Sequence, residues 1–211
     1  LQVGEDPAGR KYCDQQLMRR FSRSKCTSVI LVLNISELQV SPDATELMSL
    51  AILFKFKDIA EQAAQQHGGD VVQAVQKRAV RTVFALMPSA VSAFEMAILT
   101  MLRMKEVYES LPPGTAEDVI SLQIGMATGE VLDLGGFNAF GDPVNTSFKI
   151  AEDLAEPWEV CISPNTMEGI PAHMTRAFDF EVKEKKLSGV TISYHCQNWH
   201  TDAVRANVLP R

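Results

Sequence analysis

The sequence predicts an α+β domain, an antiparallel sheet with helices covering one face. Three observations predict it. The run SVILVLNIS (28–36) is almost unbroken in β-branched and aliphatic residues, as a strand buried on both faces requires. Two long stretches, about 44–66 and 89–111, carry apolar residues at helical spacing. The other apolar stretches are short and bounded by turn residues, so they read as strands.

Taken in order, residues 1–26 are polar and carry Gly4, Pro7 and Gly9. They read as a linker or a lead-in helix, the basic stretch CDQQLMRRFSRSK being the candidate helix. The folded domain is expected over 27–200, with 201–211 as a C-terminal tail. After the opening strand, SPDATE supplies a cap and places Pro42 near a helix start. That helix shows Leu47, Leu50, Ala51 and Phe54 at helical spacing and ends at Gly68-Gly69. VVQAV and AVRTVFAL flank a very short loop and predict a hairpin. The helix over 89–111 is stopped by Pro112-Pro113-Gly114.

The stretch VISLQIGMATGEVLDLGG (119–136) reads as a strand, a turn at Gly129 and a partner strand. A helix follows from Gly141 to about Leu154. EVCIS is then a strand, PNTMEGI a short helical turn, and AFDFEVKEK with VTISYHCQN a final antiparallel pair. The order β-α-β-β-α-β with additions is the ferredoxin-like order.

With 211 residues the chain is long enough for one domain with a substantial core. A net charge of −6 argues against a nucleic-acid or membrane-surface partner. No apolar stretch approaches the roughly 18 residues that span a bilayer. Cys13, Cys26, Cys161 and Cys196 form no C-x-x-C motif and have no zinc spacing with the histidines. They read as buried reduced thiols, which fits a cytosolic or cytoplasmic-side location. The first residue is Leu1, which leads to the expectation of a piece of a larger protein.

FGDPVNTSFKIAEDLAE (140–156) holds the residues most open to chemistry. Asn145 and Lys149 are four apart, so a helix points both the same way. Two readings fit: a helix-start amide with a surface cation, or a pair facing phosphate. GGF at 135–137 is either an ordinary turn or a loop that approaches phosphate. Met96, Met101 and Met104 read as core packing, with a Met-rich partner surface as the other reading.

Four stretches, VLNIS, HGGDVV, IGMATGEV and FGDPVN…K…EDLAEPWEVCIS, stand in one order and spacing. Together they resemble the catalytic domain of the class III adenylate and guanylate cyclases, from about Thr27 to Ile170 and loosely through the last two strands. The resemblance implies the class III cyclase fold with extra C-terminal strands, and a homodimer or heterodimer with active sites at the interface. It implies two aspartates holding two divalent metals on ATP or GTP, and from the other subunit an Asn and an Arg or Lys. Asn145 and Lys149 match that Asn, which orients the ribose, and that cation, which acts on the α-phosphate. The aspartate positions fall on Asn34 and on Lys77 or Arg78, depending on the direction of counting, because the hairpin has one extra residue. The base-reading positions fall on Gln73 and Asn138, two amides that discriminate neither purine.

The resemblance therefore leads to a cyclase-homology domain, inactive alone, that dimerises as a regulatory or scaffold module. One alternative is the Asn/Lys-contributing half of a heterodimeric cyclase. Another is a metal-independent nucleotide sensor holding triphosphate on Lys77, Arg78 and Lys149. A third is a ferredoxin-like binding module unrelated to cyclases. No cofactor is expected from this chain alone, and Mg or Mn only where a partner supplies the ligands.

Overall fold

A computed structural model of the chain describes residues 3–5, 11–13, 22–35, 42–77, 80–111, 120–133, 139–176, 178–187 and 189–198. Its centre is a pair of long antiparallel strands, β3 (Ser22–Ile35) and β6 (Ile120–Asp133), joined along their whole length. Between them in sequence come α1 (Pro42–Gln66), β4 (Asp70–Lys77), β5 (Val80–Met87) and α2 (Ala90–Glu109). The hairpin β4–β5 packs its second strand on the free edge of β3, also antiparallel. The spatial order β4-β5-β3-β6 is that of the ferredoxin-like sheet. Two earlier short strands, β1 (Val3–Glu5) and β2 (Lys11–Cys13), pair only with each other.

Beyond β6 the chain adds β7 (Ala139–Phe140), which pairs with the end of β6, and then α3 (Asp142–Lys149). α3 continues as one π-type turn, Ile150–Leu154, closed by the Ala155 amide donating to the Ile150 carbonyl at 2.8 Å. β8 (Glu159–Ile162) returns parallel to β6, so α3 is the crossover of a βαβ unit. Two short helices, α4 (Pro164–Glu168) and α5 (Ala172–Thr175), precede the final strands β9 (Glu181–Leu187) and β10 (Val190–Asn198). Those two form the expected antiparallel pair and extend the sheet through β8.

The main core lies between the sheet and α1 and α2. Val29, Leu31 and Leu33 of β3 meet Ile52, Phe56, Ile59 and Ala63 of α1 and Phe94, Ala97 and Met101 of α2. Met96, Met101 and Met104 are wholly buried, so the methionines are core. Ser89 caps α2 by accepting from the Ser92 amide at 3.1 Å.

Four expectations need correction. The helices cover both faces, because Ile30, Val32 and Phe84 on the opposite side of the sheet pack with Val144 and Ala151 of the α3 segment. Gly129 makes no turn. It sits inside β6 opposite Cys26, where a Cβ would come within 2.6 Å of the Pro143 ring, so a glycine there admits α3 rather than bending the strand. Strand β3 starts at Ser22, inside the segment read as linker or helix, since Ser22–Cys26 find ladder partners in the far half of β6. The remainder of the candidate basic helix, 14–21, lies outside the described residues. Finally, the spacing of Leu47, Leu50, Ala51 and Phe54 does mark a helix, but that stripe faces outward, Leu47 and Phe54 being exposed by about 70%. Helix α1 carries a second apolar stripe, from Ile52 to Ala64, and the sheet takes that one. Among the described residues no helix is long and apolar enough to cross a membrane.

Candidate functional site

Helix α3 is held on the sheet by backbone contact. Gly125 of β6 lies directly beneath it, and a Cβ there would meet the Ser147 carbonyl and, at 2.6 Å, the Ala151 nitrogen. Ser147, fully buried, donates to the Val144 carbonyl at 2.9 Å. Its single proton being used, it accepts the hydroxyl of Ser28 at 2.7 Å, which ties α3 to the central strand. Gly141 opens the helix at φ 153°, a value a side chain rarely adopts, and its carbonyl receives the Asn145 amide at 3.2 Å.

The same helix presents Asn145 and Lys149 outward. Both are exposed, both lie within the α-helical part, and the four-residue spacing puts them on one stripe, away from buried Val144, Ser147 and Ala151. One residue went unnoticed in the sequence reading. Glu152, three after Lys149, reaches back to the sheet and accepts from the Thr82 hydroxyl at 3.4 Å. Its only sequence signal was that i+3 spacing.

A cleft of about 660 Å³ opens beside α3, between the end of β6 and the start of α4. It takes Asp142 and Thr146 from α3, Thr128 and Glu130 from β6, Ser163 from the turn after β8 and Asn165 from α4. Neither Asn145 nor Lys149 lines it. At its base lies a chain of hydroxyls. Thr166 donates to Thr128 at 3.0 Å, so Ser163 donates to Thr166 at 2.9 Å, and Thr128 shares a hydrogen bond of 2.8 Å with Thr27.

The positions read from the sequence at the other end of the sheet fall into one row. Asn34 of β3 is the register partner of Val80 in β5, and Val80 is the partner of Lys77 in β4. Two strand spacings separate the backbones of Asn34 and Lys77, about 10 Å. Arg78 and Asn138 lie outside the described residues, as does the GGF loop at 135–137. Gln73 is backbone-paired with Phe84, immediately after a register shift between Val71 and Gln73. That bulge absorbs one residue of β4 near its start.

No family profile and no curated protein sequence matches the chain. Solved structures do. An adenylate/guanylate cyclase/hydrolase from Silicibacter pomeroyi superposes with a TM-score of 0.64 at 19% identity, over 85% of this chain and 99% of that one. The catalytic core of a rhodopsin-guanylyl cyclase with converted specificity, in complex with ATPαS, gives 0.58 at 15%, over 84% and 98%. An adenylyl cyclase from P. aeruginosa gives 0.56 at 16%, over 86% and 98%. This is the class III nucleotide cyclase fold. At such identities the likeness establishes the cyclase fold and leaves its chemistry to the residues.

The positions that the resemblance assigns to the metal-holding acids carry an amide, Asn34, and a cation, Lys77, with Arg78 next in sequence, a set that would not suit two divalent metals. Among the described residues no group of three His, Cys, Asp or Glu side chains converges to hold a metal. Asn145 and Lys149 set an exposed amide and an exposed ammonium on one stripe of α3.

Proposed function

We propose that this chain is a cyclase-homology domain that does not turn over nucleotide as a homodimer and acts as a dimerising regulatory or scaffold module in cyclic-nucleotide signalling. One observation carries the reading: the row Asn34–Val80–Lys77 contains no acid. Two unit charges 4 Å apart interact by about 4 kcal/mol at an effective dielectric of about 20, so replacing an acid with a cation turns attraction for a metal into repulsion of that order. The bulge in β4 supports the count backward from Thr82, which assigns the second acid position to Arg78. Lys77 and Arg78 are both cations, so the two counts give the same outcome.

The test is product formation by the purified chain with Mg²⁺ or Mn²⁺ and ATP or GTP. No cyclic nucleotide above background is expected. Turnover by the homodimer that disappears in Lys149→Ala overturns the proposal.

The preserved outward stripe of α3 favours a second reading. A partner cyclase domain that carries both acids would meet Asn145 and Lys149 across a dimer interface and form one complete site. Mixing the chain with such a domain then yields cyclic AMP or GMP, and Lys149→Ala in this chain removes it. Absence of product from a mixture shown by sedimentation to contain the heterodimer rejects this reading and leaves the first. The amides Gln73 and Asn138 favour neither purine, so both nucleotides belong in the assay.

A further inference from the structure

Cys161 and Cys196 are 35 residues apart in sequence and directly opposite each other across β8 and β10. Which kind of antiparallel pair they form follows from a neighbour. The Ser163 amide points to β6, donating to the Met126 carbonyl at 2.9 Å. Amides alternate in direction along a strand, so the Cys161 amide also points to β6 and away from β10. Cys161 and Cys196 are therefore a non-hydrogen-bonded pair, the closer kind, with Cα atoms about 4.5 Å apart. That separation lies at the short end of the range a disulfide spans, about 4.4–6.8 Å. Both are free, buried thiols on facing register positions.

The surroundings divide the work between them. Both thiols sit under the π-type turn, against Ile150, Leu154 and Ala155. Glu159, almost wholly buried, accepts from the half-exposed Lys183 ammonium at 3.0 Å and lies 3.7 Å from the Cys161 sulfur. The bond from Cys161, then the one from Lys183, hold the Cys196 thiol below its ordinary value, against the opposing effect of burial. The bond to Cys196 and then burial push the Cys161 thiol up. The Glu159 carboxylate beside the Cys161 sulfur disfavours a thiolate there, which leaves Cys196 as the attacking thiol and Cys161 as the resolving one.

We propose that Cys161 and Cys196 form an oxidative modification site, a cross-strand dithiol that a hydroperoxide converts into an intramolecular disulfide. The Cys196 thiolate attacks the peroxide oxygen, the O–O bond breaks, and hydroxide leaves as Cys196 becomes a sulfenic acid. The Cys161 sulfur then attacks Cys196, the S–O bond breaks, the Cys161 proton leaves with the hydroxyl as water, and the proton earlier lost by Cys196 turns the hydroxide into the other water. The sum is two thiols and one hydrogen peroxide giving one disulfide and two waters. Lys183, partly exposed on β9, is the polar group that reaches Glu159 beside the two buried thiols.

The experiment uses the full chain, treated with hydrogen peroxide while folded and mapped by mass spectrometry after alkylation. Loss of two hydrogens with a Cys161–Cys196 linked peptide is expected, with Cys26 still alkylatable. Cross-links through Cys13 or Cys26, or sulfinic acid at Cys196 beside a free Cys161, overturn the proposal. So does full alkylation of both thiols after exposure. A second measurement needs no oxidant: a trivalent arsenical that bridges neighbouring thiols should label the native chain once. Cys161→Ser should abolish that label, and should leave a sulfenic acid at Cys196 that dimedone traps. Arsenical labelling that survives in Cys161→Ser counts against the pair.

Discussion

The two faces of the central sheet are filled by different means. On the side of α1 and α2, large side chains interdigitate: Leu31, Leu33, Phe56, Met96 and Met101 have no solvent exposure. On the side of α3, helix and strand meet through Gly125, Gly129 and the Ser28–Ser147 hydroxyl pair. The first arrangement tolerates repacking, since a flexible methionine can adjust. The second adds to its side-chain packing a point at Gly125 where backbone meets backbone and cannot yield. The helix seated most rigidly is also the one that turns Asn145 and Lys149 outward.

The sharpest way to break this contrast is Gly125→Val. A branched side chain would drive into the Ser147 carbonyl and the Ala151 nitrogen, so the chain should lose about 4 kcal/mol or fail to fold. Denaturant unfolding reads it, and a loss below that of Gly129→Ala, which meets only the Pro143 ring, would contradict the rigid seating of α3. On the other face, Met101→Ala should cost about 2–4 kcal/mol by opening a cavity, with the fold kept. Next comes Ser147→Ala, expected to cost about 1–3 kcal/mol by leaving the buried Ser28 hydroxyl without its partner. Adding Ser28→Ala should recover part of that loss, a result that simple additivity forbids.

Smaller still, Asn145→Ala and Lys149→Ala should each stay within about 0.5 kcal/mol of the parent in thermal melts. A larger loss would mean that the outward stripe is structural. The last effect concerns pH. The Glu159 carboxylate holds the Lys183 ammonium above its ordinary value of about 10.4, so its contribution is complete below that value and fades as pH rises beyond it. Stability measured from pH 7 to 11 should therefore bend downward only at the alkaline end, and Lys183→Met should remove that bend.

Local pattern was enough for much of this fold. The aliphatic run at Val29–Leu33, the hairpin and the Pro143-led start of α3 each announce themselves within a few residues, and the ferredoxin-like order follows. Gly129 shows where local reading stops. A glycine that admits a neighbouring helix looks the same in sequence as one that turns the chain, and only the packing of Pro143 separates them. Leu50 and Phe54 teach the same lesson for α1, where periodicity reports a stripe but not which stripe meets the sheet. At the candidate site the spacing of Asn145 and Lys149 was readable, because it is fixed by helix geometry alone. The alignment of Asn34 with Lys77 through Val80 was not, since it depends on the register of three strands and on a bulge at Val72. Cys161 and Cys196 were equally hidden, being neighbours only through the ladder.

Where α3 crosses Gly125, no side chain stands between helix and strand. A pull on Lys149 from a bound anion or a second subunit would pass straight into β6 and β3 rather than being spent on rotamer changes at the joint. The seat of α3 thus acts as a stiff coupling, through which an event at the surface displaces the centre of the sheet with little slack.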